Sequence, residues 1–153
     1  MRVLVTGMSG TGKSTVLRAL QARGHRVVDT DSDEWCEWGV DEQGNEDWVW
    51  RVDVMEELLA QYADLFVAGC KSNQGLFYPR FERVVLLSAP AEVMVRRIDA
   101  RSDNPYGKSP AERALVLEHL ATVEPLLRAS ADLEIDTSGP LDAVVDELEA
   151  LAY

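Results

Sequence analysis

Residues 7–15 read "GMSGTGKST" and follow directly on the apolar run "VLV" at 3–5. From Gly7 to Ser14 the stretch fits G-x-x-x-x-G-K-[ST] without a departure. Glycines at these spacings let successive backbone N–H groups turn inward around phosphate oxygens, and the N-terminus of a following helix adds partial positive charge. In such a cradle Lys13 reaches the β and γ phosphates and the Ser14 hydroxyl ligates Mg²⁺, so ATP and Mg²⁺ are the expected ligands. Gly7, Ser9, Gly10, Thr11, Gly12, Lys13, Ser14 and Thr15 are the residues expected to contact the nucleotide, with Ser14 as the metal ligand.

Working outward, "RVLVT" (2–6) is a β-branched apolar run and reads as a buried strand, while Val16, Leu17 and Leu20 recur at helical spacing between Lys13 and Arg23. Gly24 stands where a helix C-cap belongs. "HRVVD" (25–29), "DLFVAGC" (64–70), "RVVLLSA" (83–89) and "LEID" (133–136) are further strand-length runs. Helical patterns fall over 52–62, 90–101, 110–128 and 139–151, with Pro125 marking a kink or break. Short apolar strands alternating with helices predict an α/β fold: a five-stranded parallel sheet covered by helices on both faces. One domain, 1–153, is expected at this length.

Composition narrows the function classes. A net charge of −12 without a basic stripe disfavours nucleic acid as a partner, and no apolar run reaches the roughly 20 residues of a membrane span. With only two cysteines, Cys36 and Cys70, and no leader-like start, a cytoplasmic monomer or homodimer is expected. Both cysteines read as small buried hydrophobes, and His25 and His119 lack metal-ligand spacing and are assigned no site. The charge is uneven: nine of the 27 acids (Asp29, Asp31, Asp33, Glu34, Glu37, Asp41, Glu42, Glu46, Asp47) lie between Val28 and Trp50, where there is no Lys or Arg.

The phosphate cradle serves switches, motors and transferases alike. Switch GTPases need N-K-x-D on a later strand, and "CKSNQG" (70–75) does not match. Motor-type and AAA-type ATPases end a neighbouring strand in an acidic residue or pair, whereas "LFVAGC" ends in Gly69 and Cys70, which weighs against both.

With these residues in view the chain resembles, over nearly its whole length, the small P-loop kinases of the adenylate, shikimate and gluconate kinase group, and the resemblance implies the three-layer P-loop NTPase fold with strand order 2-3-1-4-5. The resemblance implies that "VVDTDSD" faces the γ-phosphate, Asp29 and Asp31 dividing the tasks of ordering Mg²⁺ and taking the acceptor's proton. In "RRIDAR", Arg97 and Arg101 are four apart, hence on one helix face, and by resemblance to adenylate kinases they cover adenine and touch phosphates ahead of a short lid at about 101–113. Lys13, Asp31, Asp29 and Arg101 are therefore the expected catalytic set. "IDTSGPLDAVV" is similar to the adenine-edge loop of related kinases and adds Thr137 to Pro140 as cofactor contacts, Pro140 among them.

The acceptor region, about 30–62, departs from those relatives. It holds all four tryptophans (Trp35, Trp38, Trp48, Trp50) among the acids, and no arginine until Arg51. A neutral or cationic, hydroxyl-bearing metabolite such as a nucleoside, sugar-like or shikimate-like compound fits this charge, with tryptophan faces for stacking or cation–π contact. Asp31, Trp35, Arg51, Asn73, Gln74, Gly75 and Tyr78 are the expected acceptor contacts. A nucleoside monophosphate kinase and a nucleotide-responsive ATPase that acts as an interaction protein remain open alternatives.

Overall fold

The computed structural model describes residues 1–41 and 43–151. Glu42, within the expected acceptor region, and the last two residues of the expected domain lie outside the described residues. In chain order the elements are β1 Arg2–Thr6, α1 Lys13–Ala22, β2 Val27–Asp29, β3 Cys36–Val40, β4 Glu46–Trp50, α2 Val52–Gln61, β5 Leu65–Ala68, a 3₁₀ helix Gln74–Arg80, β6 Arg83–Ser88, α3 Ala91–Ala100, α4 Pro110–Thr122, α5 Glu124–Ser130, β7 Leu133–Asp136 and α6 Leu141–Leu151.

The main sheet runs β2-β5-β1-β6-β7, every pair parallel. Counted among the sheet's own strands this is the expected 2-3-1-4-5; whole-chain numbering differs because the separate antiparallel pair β3-β4 intervenes. The apolar runs are continuous because both faces are covered. Val3, Val5, Phe66, Ala68, Val85 and Leu87 pack on α1 and α6, through Val16, Leu17, Leu20, Val144, Val145 and Leu148. Leu4, Leu65, Val67 and Val84 face the other way, onto Met55, Leu58 and Leu59 of α2 and Phe77 of the 3₁₀ helix. A third cluster joins Leu86 to Met94 and Ile98 of α3, Val116 of α4 and Leu127 of α5. Each such side chain contributes about 1.5–3 kcal/mol on burial, and together they fix the C-terminal ends of β1, β2 and β5 at one edge of the sheet.

Pro125 does break the long helical pattern, separating α4 from α5 at Val123. The hairpin β3-β4 is a finding that the sequence reading lacked. Its register pairs Cys36 with Trp50 and Trp38 with Trp48, and the Asp41 Oδ1 closes the loop by accepting from Gln43 N–H at 2.9 Å and Asn45 N–H at 2.8 Å.

Trp50 fastens the hairpin to the sheet. Its ring is buried, meets Phe77 edge-on at 5.7 Å and donates through Nε1 to the Thr30 Oγ1 at 2.8 Å. The Asn73 side chain supplies both hydrogen bonds of a missing strand neighbour: its Oδ1 accepts from Trp50 N–H at 3.1 Å, and its Nδ2 donates to Trp50 O at 3.0 Å. Gly69 makes the approach possible, because a Cβ there would lie 2.2 Å from Thr30 Oγ1 and 2.9 Å from the Trp50 ring. No described helix is long and apolar enough to cross a membrane.

Candidate functional site

The 7–15 stretch turns between β1 and α1 at the C-terminal edge of the sheet, the edge at which ligands of open α/β sheets bind. Gly10 (φ +84°) and Gly12 (φ +96°), the latter the N-cap of α1, hold backbone conformations that other residues rarely adopt. At Gly10 a Cβ would also sit 2.7 Å from Met94 O, so the loop is wedged against α3. Thr11 points inward, its Oγ1 donating to Met8 O at 2.8 Å.

A cavity of about 460 Å³ opens over this turn. Ser9, Gly10, Gly12, Lys13, Ser14 and Thr15 line it, and so do Arg97 and Arg101 from α3 and its end, Arg18 of α1, and Thr137 and Gly139 from the loop before α6. Pro140 and Thr11 are not among its lining residues, and Gly7 lies on the other side of the turn. Arg97 does more than line the wall. Its guanidinium donates to Gly10 O at 3.3 Å, to Thr137 Oγ1 at 2.8 Å and to Thr137 O, while the Thr137 hydroxyl donates to Thr11 O at 2.6 Å. The α3 arginine and the β7–α6 loop thereby clamp the phosphate turn. Arg101 donates to Asn104 O at 3.0 Å and Tyr106 O at 2.6 Å, and Arg113 to Gly107 O at 2.9 Å, which ties the short 102–109 segment over the cavity.

At the floor, Ser14 Oγ donates to the Asp29 Oδ2 at 2.6 Å. A hydroxyl and a carboxylate side by side are the hard oxygen donors that Mg²⁺ takes, and the turn beside them presents backbone, since a Cβ at Gly7 or Gly10 would lie 2.5 Å from Leu87 O or 2.7 Å from Met94 O. Both groups therefore fit Mg²⁺ and a nucleotide. Lys13 now rests on Gly7 O at 2.6 Å and Met8 O at 3.0 Å. Burial pushes its ammonium below the usual lysine range; Cys70, Asp31 and Asp29 pull it back, and Arg101 adds to the lowering. The lysine is thus held in a field of both signs, with carboxylates on one side.

A second cavity, of about 550 Å³, adjoins the first. Ser9, Lys13, Asp31 and Asn104 line both. Gly7 and Met8 of the turn continue its wall, and the rest comes from distant segments: Asp47 and Trp48 of β4, Cys70, Lys71 and Ser72 after β5, Tyr106 of the 102–109 segment, and Val116 and His119 of α4. Among the described residues no arginine lines it.

Of the expected acceptor contacts, only Asp31 stands in that wall. The Asn73 and Gln74 side chains are buried, at 2% and 3% exposure, and spent on the fold. Gln74 Nε2 donates to Thr6 Oγ1 at 3.2 Å and Tyr78 OH at 3.0 Å, and its Oε1 accepts from Lys71 N–H at 3.0 Å. Trp35 packs beside the α2 cluster and Arg51 donates to Glu34 O at 3.3 Å; neither these two nor Gly75 and Tyr78 are lining residues. Asp47, Ser72, Tyr106 and His119 are the residues sequence reasoning missed. His119 and Cys70 are corrections, since both line the second cavity although neither was assigned to a site. Cys36 is buried as expected, its thiol donating to Thr30 O at 3.3 Å. The other histidine, His25, bonds Glu149 at 2.6 Å at the far end of the sheet.

Residues 3–118 match the family described as AAA domain. The chain belongs to that family. β5 indeed ends without a carboxylate, and the one beside Ser14 comes instead from Asp29 at the end of β2. A nucleotide-binding protein of Gluconobacter oxydans (strain 621H) is 31% identical over 147 residues, covering 89% of this chain and 41% of that protein. Another from Koribacter versatilis (strain Ellin345) is 29% identical, covering 99% and 48%. The chain thus spans about half the length of the curated relatives it matches. Among solved structures it is similar to the shikimate kinase from Acinetobacter baumannii in complex with shikimate, at TM-score 0.70 and 21% identity over 98% of this chain and 91% of that one. A gluconokinase from Sinorhizobium meliloti 1021 follows at TM-score 0.60 and 17% identity, covering 99% and 93%. The AAA domain of this chain has the fold of the small P-loop kinases.

Proposed function

We propose that the protein is a small-molecule kinase that transfers the γ-phosphoryl group of ATP, with Mg²⁺, to a hydroxyl of a small neutral or cationic metabolite. One observation carries this reading: two cavities, one over the phosphate cradle and one beside it, share Lys13 and Asp31 as common wall. A phosphoryl group moving between two ligands needs such a boundary, with a cation for the phosphoryl oxygens and a carboxylate for the acceptor's proton.

In that arrangement Ser14 and Asp29 would hold Mg²⁺, which would supply positive charge to the phosphate oxygens. Arg97 and Arg101 line the nucleotide's side. Lys13 leaves the Gly7 and Met8 carbonyls for phosphate oxygens, gaining a charged partner for two neutral ones. Asp31 accepts the proton of the acceptor hydroxyl as the new O–P bond forms and the bond to the leaving diphosphate breaks. The 102–109 segment, tied by Arg101 and Arg113, excludes water from the boundary.

A nucleoside monophosphate kinase is disfavoured because no arginine lines the second cavity among the described residues, so an acceptor phosphate finds no bidentate partner. The interaction-protein reading keeps one observation in its favour, the 70% exposure of Trp38 beside an exposed Val40 at the hairpin's outer end. Incubation with Mg²⁺·ATP and a metabolite extract, followed by a search by mass for a species heavier by one phosphoryl group, tests the proposal. Absence of such a species, with slow ATP hydrolysis and capture of a stable partner, overturns it.

A further inference from the structure

We infer that the acceptor carries an amine as well as its reacting hydroxyl, and that Asp47 and Trp48 at the mouth of the second cavity form the subsite for its ammonium group. The inference rests on the kinase reading for the hydroxyl, but the subsite is defined by its own geometry.

Asp47 is a prepared carboxylate. Ser72 Oγ donates to its Oδ2 at 2.8 Å and the Trp48 N–H to its Oδ1 at 2.8 Å, so both oxygens are held in place. A carboxylate has about four acceptor positions, so each oxygen keeps one for an incoming N–H. The half-buried Trp48 lines the same cavity and is braced edge-on by Trp38, ring centres 5.4 Å apart. An indole and a fixed carboxylate lining one cavity suit an ammonium group, by cation–π attraction and ion pairing. Lys71 is the wall's other lysine besides Lys13, and it acts on the Cys36 thiol together with Asp31 and Asp33. The wall balances Asp31 and Asp47 against Lys13 and Lys71, while the stretch from Val28 to Trp50, which supplies Asp31, Asp47 and Trp48, has nine acids and no base and makes the hairpin side of the cavity the acidic one. With Asp31 at one end of the cavity and Asp47 at its mouth, the ligand class is a hydroxylated amine, of the amino-sugar or aminocyclitol type.

All four tryptophans lie between 35 and 50, so intrinsic emission reads this region directly. The test titrates the protein, with Mg²⁺ and a non-hydrolysable ATP analogue, using 2-amino-2-deoxyglucose, glucose and gluconate, which present related polyol frames as cation, neutral molecule and anion. The amine is expected to shift the emission at a half-point about tenfold below that of glucose, with gluconate weakest. Asp47→Asn should bring the amine's half-point up to that of glucose, and Trp48→Phe should weaken it less, both without altering affinity for the ATP analogue. Equal half-points, a preference for gluconate, no response to the amine, or an Asp47→Asn variant that keeps the preference each overturn the inference. Phosphorylated product is assayed separately by mass with ATP: amine binding without product defeats the kinase reading and leaves the subsite, whereas product from a neutral polyol with no effect of Asp47→Asn does the reverse.

Discussion

The two cavities that meet at Lys13 and Asp31 are built in opposite ways. The cavity over the phosphate turn leans on backbone, with Gly10 and Gly12 in the turn and the N-terminus of α1, and adds arginines from α3 and its end. The acceptor side is made of side chains from a hairpin, a post-strand loop and α4, with no two of these segments adjacent in sequence. The turn depends on its glycines and on the Arg97–Thr137 clamp that holds it from outside. A wall of side chains is only as well placed as the contacts that bring its segments together, which here are Trp50, Asn73 and Gly69.

The largest effect should fall on what both sides share. Lys13→Ala is expected to lower phosphoryl transfer by roughly 10²–10³-fold or more, the scale of losing one preorganised donor to developing charge, and unchanged turnover would sink the shared-wall comparison. Asp31→Asn should lose transfer by roughly 10²–10⁴-fold while nucleotide affinity, measured by calorimetry, stays near that of the parent. Loss of nucleotide affinity instead would place Asp31 wholly on the cradle side.

Next comes the anchoring of the hairpin. Asn73→Ala leaves the Trp50 N–H and C=O without their partners inside the protein, at a cost of about 1–3 kcal/mol, and Gly69→Ala forces a Cβ into Thr30 and Trp50 for a similar penalty. Each should lower Tm by roughly 2–10 °C in a chain of this size and weaken acceptor binding more than ATP binding. Equal losses on both sides would mean that the cavities are not separately supported.

The smallest effect concerns β7, the strand that carries Thr137 to the cradle. The Arg128 guanidinium, and after it the Ser88 hydroxyl, hold the Glu134 carboxyl below the usual glutamate range. Because the folded value is depressed, the stabilisation is present above about pH 4.5 and is lost as pH falls through the folded value. Glu134→Gln should therefore lower Tm by about 1–3 °C near neutrality, as a partly exposed ion pair warrants, and the gap to the parent should close in acid.

The same contrast explains how much could be read in advance. The strands, the cradle and the common helix face of Arg97 and Arg101 follow from periodicity and from spacing within single segments, and these survive folding because they are local; the strand order and the side on which the arginines lie follow from the resemblance to the small P-loop kinases. Asn73 and Gln74 look like ligand contacts because they are amides just past a strand. Only the position of Trp50 and Thr6 turns them inward, over separations of 23 and 68 residues. The hairpin did leave a trace, in the alternation of Cys36, Trp38 and Val40 and of Trp48 and Trp50 around the Asp41–Gly44 turn, which the acids interleaved among them obscured. His119 gave none, since its role comes from α4 lying across from β4 and Lys71.

Arg97 and Thr137 have one more consequence. The segment by which the family is recognised ends at residue 118, yet the clamp on the phosphate turn closes through Thr137, beyond it. The recognisable unit and the competent unit therefore differ in length: a chain ended at residue 118 would keep every letter of "GMSGTGKST" and lose the latch that gives those letters their shape.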